Sequence, residues 1–119
     1  MDELEHLKKN DNVLCVVVFG SYARGEKYRD VDVLIITRKE EKINLPEIYD
    51  TFVYTLDEFK REIYSGRPGL LPILIEGKAI KGESLWNKLK RLFYILHKNK
   101  NLEFVYKNGK VYRIGDLVP

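Results

Sequence analysis

VVVFGSYARGEKYRDVDVLII, residues 16–36, sets two apolar runs on either side of a short polar turn. The first run ends in Gly20-Ser21, and the second opens with Asp30 and Asp32. Glycine lets a backbone approach a ligand closely, and a serine at a helix start offers a hydroxyl and an N–H to a phosphate. A pair of carboxylates is a place to hold a hard cation. Gly-Ser after a strand is a common turn, and Asp-x-Asp is a common cap. Their occurrence together, in this order between two buried strands, is far more specific.

Working outward, Val13 to Phe19 is a continuous, β-branched apolar run of strand length, which predicts a central strand covered on both faces. Tyr22 to Gly25 fits a short helix, and Val31 to Ile36 a second buried strand. Arg38 to Asn44 is a charged loop closed by Pro46, and Ile48 to Tyr54 reads as a third strand. Thr55-Leu-Asp-Glu58 has capping-box form and predicts a helix running to about Tyr64 and stopping at Ser65-Gly66. Pro68 suits the first turn of a short helix carrying Leu70, Leu71, Leu74 and Ile75 and ending at Gly77, with Pro72 bending it or delaying its start. Asp2 to Lys9 is a further short helix, and Lys78 to Lys81 a short edge strand. Glu83 to Lys98 has the best helical period, with Leu85, Leu89, Leu92, Phe93 and Leu96 as its stripe. Asn108-Gly109, between Phe104/Tyr106 and Val111/Tyr112, signals a hairpin over Leu102 to Ile114. The expected fold class is α+β, close to α/β: a mixed sheet with helices mainly on one face, plus a C-terminal helix and hairpin.

Side chains alternate along a strand, so Asp30, Asp32, Leu34 and Ile36 share a face, the two acids at its open end and roughly 6–7 Å apart. In the third strand, Asp50 takes the same position relative to Phe52 and Tyr54. If that strand pairs with the second, Asp50 joins Asp30 and Asp32, and three clustered carboxylates call for a cation such as Mg²⁺. The alternative for Asp50 is a strand-entry residue facing water. Arg24, one turn beyond Ser21, can supply a fixed charge to phosphate oxygens.

These residues carry a family resemblance. GSYARG followed by DVDVLII resembles the DNA polymerase beta-like nucleotidyltransferase superfamily, and within it the minimal nucleotidyltransferases of bacteria and archaea. YDTFVYTLDEF, residues 49–59, is similar to the region holding that family's third acid and a Thr-capped helix. The resemblance covers residues 12–82, a nucleotidyltransferase core of residues 1–82 that residues 83–119 extend within the same compact domain. It implies that Gly20 and Ser21 hold the triphosphate, that Asp30 and Asp32 bind metal, and that Asp50 is the third metal-binding acid and activates the attacking hydroxyl. Two Mg²⁺ ions and ATP or another NTP would follow. The loop from Ser21 to Asp30 is shorter than the family's usual one, and Arg29 stands where a small residue is common.

The activity implied is transfer of a nucleoside monophosphate, AMP from ATP, to a hydroxyl. The resemblance offers two acceptors: a protein hydroxyl, as in antitoxin nucleotidyltransferases that modify a helical HEPN toxin, or a small molecule, as in aminoglycoside-modifying relatives. A chain of 119 residues has little room for its own acceptor pocket, which favours a protein partner or an oligomer interface. The rival readings are a non-catalytic antitoxin-like module and a nucleic-acid binder using the C-terminal aromatics.

The bulk composition narrows the rest. Residues 1–80 carry 12 Lys/Arg against 15 Asp/Glu, and residues 81–119 carry 9 against 3. A basic tail on a mildly acidic body suits phosphates or an acidic partner, or is a solvated Lys-rich face. With its amphipathic helix, that tail predicts a homo-oligomer or a partner complex. The single cysteine, Cys15, reads as a small buried hydrophobe rather than a reactive thiol, and neither His6 nor His97 has metal-ligand neighbours. No apolar run approaches the roughly 18–20 residues of a membrane span, and MDELEH is unlike a secretory signal, so no membrane association and a cytoplasmic location are expected. The absence of Gln beside abundant Lys and Glu points toward a thermophile.

Overall fold

Strands β1 (Val13–Phe19), β2 (Val31–Thr37), β3 (Tyr49–Thr55) and β4 (Lys78–Lys81) form one sheet in the order β3-β2-β1-β4. A computed structural model of the chain describes residues 2–27 and 29–118. β1 is antiparallel to both of its neighbours, while β2 and β3 run parallel. The β-branched run of β1 takes the centre because both of its faces are buried, as are those of β2.

Each face of the sheet has its own core. On one side Cys15, Val17, Leu34 and Ile36 pack under helices α3 (Leu56–Ser65), α4 (Leu71–Glu76) and α5 (Glu83–His97). On the other side Val16, Val18, Val33 and Ile35 are covered by Leu4 and Leu7 of α1 (Asp2–Lys8), Ala23 of the one-turn α2 (Gly20–Ala23), and the loop residues Ile43 and Leu45. Cys15 is fully buried, and burial pushes its thiol up to about 12. It is a packing residue.

The capping box at Thr55 forms in full: Glu58 N–H donates to Thr55 Oγ1 at 3.1 Å, and Thr55 N–H donates to Glu58 Oε1 at 2.8 Å. Thr55 is also the last residue of β3, so the cap fixes how α3 leaves the strand that carries Asp50. A 3₁₀ turn, Pro68–Leu70, precedes α4, whose start Pro72 sets.

The buried stripe of α5 keeps Leu89 and Phe93 of the expected one and adds Trp86 and His97. Trp86, Leu89, Phe93 and His97 are buried, whereas Leu85 and Leu92 are half-buried and Leu96 is 39% exposed. The larger rings of Trp86 and Phe93 take the core, with Trp86 stacked near Phe59 at 6.0 Å between centroids, and the stripe rotates to follow them. His97 clamps α5 to α3. Its Nε2 bonds Ile63 O at 2.8 Å, its Nδ1 lies 3.0 Å from Lys100 Nζ, and its ring packs so closely on Gly66 that a Cβ there would fall 2.6 Å from Cε1.

The hairpin pairs β5 (Glu103–Val105) with β6 (Val111–Arg113) as a separate two-stranded sheet. Its turn is longer than a two-residue Asn-Gly loop: Gly109 N–H donates to Tyr106 O, and Tyr106 N–H to Lys110 O, both at 2.8 Å. Phe104 and Tyr112 of the hairpin pack against α4 and the turn before it, and Ile114, just after β6, packs against α5. Trp86, Leu89 and Phe93 of α5 pack with Cys15, Val17 and Leu34 of this chain's own sheet, while Leu96 stays exposed. Among the described residues no helix is long and apolar enough to cross a membrane.

Thr55→Ala removes one side of the capping box and should lower stability by about 1 kcal/mol at pH 7. The Thr55 backbone N–H, and after it the Thr55 side chain, hold the Glu58 carboxyl below its ordinary value of 4.5, so the contribution of Glu58 is present above pH 4.5 and fades as pH falls through the lowered value. Urea denaturation at pH 7 and at about pH 3 should show a Glu58→Ala penalty shrinking in acid, because the carboxylate it removes is protonated there.

Candidate active site

Two strand pairings build the site. The antiparallel pairing of β1 and β2 sets Phe19 opposite Asp32, so that Gly20 follows directly beside that carboxylate. The parallel pairing of β2 and β3 sets Asp32 level with Asp50, on the face that continues as Leu34 and Phe52. The register the acids required is the one the sheet adopts.

Gly20 is dictated by this crowding. Its φ is +77°, in the region that side chains rarely adopt, and a Cβ there would sit 2.1 Å from Asp32 Oδ2. The turn itself is the single-turn helix α2, in which Arg24, Gly25 and Glu26 donate their N–H groups back to Gly20, Tyr22 and Ser21. The amides of Gly20 and Ser21 belong to the first turn, where a helix leaves its donors without internal acceptors. Arg24 follows as the C-cap. Its Nη2 lies 3.4 Å from Ser21 Oγ, its Nε donates to Glu26 Oε1 at 2.9 Å, and its Nη1 is 3.7 Å from Glu76 Oε1.

Asp32 is half-buried, and its carboxyl titrates above the ordinary 3.8. Burial is the largest cause, followed by the charges of Asp50 and Asp30; the nearby Arg24 opposes the rise. Asp50 is exposed at the start of β3. Asp30 lies in a bend just before β2 rather than on the strand, and it is exposed. Strand alternation therefore does not place it with Asp32, because pairing begins only at Val31, whose N–H donates to Ile48 O at 2.8 Å. It comes to the cluster from the end of the turn.

Among the described residues no three acidic, histidine or cysteine side chains gather closely enough to cage a metal by themselves. The donor set still suits Mg²⁺. Its donors are hard oxygens, the like-charge crowding on Asp32 is what a cation relieves, and Mg²⁺ is commonly held by one or two carboxylates plus substrate phosphates.

Beside the acids lies a cleft of about 370 Å³ lined by Phe19, Leu34, Phe52, Tyr54 and Phe59, with Arg67 at its rim. Phe19 and Phe52 approach to 5.8 Å between centroids. Sequence reasoning put Phe52 and Tyr54 on the acid-bearing face but gave them no role. It missed Phe19, Arg67 and Glu76, whose positions depend on contacts between distant segments.

The nucleotidyltransferase domain model matches residues 2–114. The chain belongs to the nucleotidyltransferase family. This is an enzyme family, and the match takes in α5 and the hairpin as well as the sheet. Two solved structures share the fold at a TM-score of 0.50 and 17% identity: a mutant of the toxin–antitoxin pair MntA-HpeT, covering 83% of this chain and 89% of that one, and a toxin–antitoxin structure with AMP-PNP, covering 83% and 90%. No curated protein sequence matches the chain.

Two substitutions test the geometry. Gly20→Ala must turn the Asp32 carboxylate aside and adopt a left-handed backbone, so it should cost about 1–2 kcal/mol of stability and lose Mg²⁺-dependent ATP binding in calorimetry. Asp32→Asn should do the reverse to stability. The raised Asp32 carboxyl contributes stability that is present below 3.8 and lost as pH rises through its folded value, and asparagine carries no such loss. Without divalent metal, the Asp32→Asn melting temperature should exceed the parent's at pH 7, and the gap should close at about pH 3. Added Mg²⁺ should raise the parent's melting temperature and leave the variant's unchanged.

Proposed function

We propose that this protein transfers AMP from ATP to a hydroxyl acceptor on a protein partner, using Asp32 and Asp50 as its central carboxylates. The observation that carries this reading is their level pairing across β2 and β3, directly beside the Gly20-Ser21 turn.

Ser21 Oγ, the amides of the turn and Arg24 hold the β- and γ-phosphates, so the pyrophosphate leaves from a fixed position. Mg²⁺, held by Asp32 and Asp50 with Asp30 beside them, supplies positive charge to the attacking and leaving oxygens when bound. The acceptor oxygen attacks the α-phosphorus, its new P–O bond replacing the bond to pyrophosphate. Asp50, exposed at the strand start, takes the proton.

The aromatic cleft favours an acceptor carried on a flat or apolar side chain, because Phe19, Leu34, Phe52 and Phe59 line it with apolar surface. A protein acceptor also agrees with the toxin–antitoxin context of the two structural neighbours. A helical HEPN-type toxin is the partner we infer. Ile95, Leu96 and Val118 remain exposed on the tail and give such a partner, or a second copy of the chain, an apolar surface.

Radiolabelled transfer from α-labelled ATP to a co-expressed HEPN partner tests this. The parent should label the partner only with Mg²⁺ present, and Asp32→Ala and Asp50→Ala should each reduce labelling by a factor of at least about 100. Tight partner binding without labelling would overturn the enzymatic reading and leave a non-catalytic antitoxin.

A further inference from the structure

The Glu76 carboxylate ties the nucleotide turn to the hairpin some 35 residues later in the chain. Glu76 closes α4, with its side chain only 13% exposed. Its Oε1 accepts the Tyr112 hydroxyl and faces Arg24 Nη1 at 3.7 Å, and its Oε2 takes Lys110 Nζ at 3.4 Å. Tyr112 is itself buried, on β6, and Lys110 lies over its ring at 5.0 Å. The carboxylate is thus fixed from the hairpin side before it meets Arg24.

Arg24 uses the edges of its guanidinium separately: Nε toward Glu26, Nη1 toward Glu76, and Nη2 toward Ser21. A guanidinium is a rigid planar fork, so holding Nε and Nη1 sets the direction in which Nη2 points. Glu26 lies in an exposed turn, whereas Glu76 belongs to the packed scaffold. A long side chain already held in its working direction loses less conformational freedom when it binds an anion.

We propose that Glu76, held by Tyr112 and Lys110, is a positioning residue that pre-sets Arg24 for the triphosphate, so that the C-terminal hairpin sets ATP affinity without touching the nucleotide. This rests on the function proposed above, in which Arg24 meets the β- and γ-phosphates.

Calorimetric titration of the full chain with ATP and with AMP, in Mg²⁺, tests it across the parent, Arg24→Ala, Glu76→Gln, Tyr112→Phe and the Arg24→Ala/Glu76→Gln pair. Tyr112→Phe keeps the ring in the core and removes only the hydroxyl, so it reports even if Glu76→Gln fails to fold. Both single changes should weaken ATP about threefold to tenfold, in the range of coupled neighbouring groups, and leave AMP unmoved. Glu76→Gln should add nothing once Arg24 is alanine. If Arg24→Ala weakens ATP while Tyr112→Phe and Glu76→Gln leave it unchanged, tighten it, or weaken AMP equally, the positioning role is wrong and the phosphate role of Arg24 stands. If Arg24→Ala leaves ATP binding untouched, the phosphate role falls, and the positioning role with it.

Discussion

The site depends on one piece of crowding, a half-buried carboxylate wedged between a glycine and a second carboxylate. Asp32 cannot move toward β1, because Gly20 leaves no space beyond a hydrogen there. It cannot move away from Asp50 either, because the two residues are level on hydrogen-bonded parallel strands. Burial first, and then the charge of Asp50, make its proton harder to remove than an ordinary aspartate's, and a cation would offset that charge. The bond network of the sheet holds in place a repulsion that a bound cation would relieve.

That sheet is unusual in how it earns its parallel pair. Consecutive strands β2 and β3 run parallel, which needs the chain to cross back along the sheet, a job more often given to a helix. Here residues 38–48 do it as a loop without helix or strand. Asn12 anchors the loop's start, its Oδ1 accepting from Lys39 N–H at 2.8 Å and its Nδ2 donating to Lys39 O at 2.9 Å and Glu41 Oε1 at 2.8 Å. Ile43 and Leu45 then bury themselves against β1 and β2 in the place a crossover helix would take. The opposite face is left free for α3, α4 and α5.

Much of this was legible in the residues. The limits of β1, the capping box at Thr55, the stop at Gly66 and the Pro68 turn follow from local chemistry, and each stands within a residue or so of where its signal lies. The acid on each of the two strands was also legible, because a carboxylate interrupts a face that is otherwise apolar. What could not be read were choices settled by distant contacts. Asp30 continues the two-residue alternation on paper, yet the strand starts one residue later, where Ile48 O becomes available. The expected stripe of α5 held Leu89 and Phe93, but Trp86 outweighs Leu85 and Leu96 in area, and His97 joins because Ile63 leaves a carbonyl to receive it. Glu76 is unremarkable in sequence and becomes a junction only when Arg24 and Tyr112 are brought to it from opposite sides.

Among the described residues β3 lies at the sheet's edge, paired only to β2, and carries the exposed side chains of Phe52 and Val53. Edge strands open at lower free energy than central ones, so the backbone of β3 should detach and reclose many times for each global unfolding event. Each opening removes Asp50, and takes Tyr49 and Tyr54 from the cores, while leaving Asp32 and the turn in place. Occupancy of the site and closure of this edge are then thermodynamically linked. Any ligand that bridges the two acids holds the strand down, and a protein that captured the open edge would silence the chemistry without entering the site.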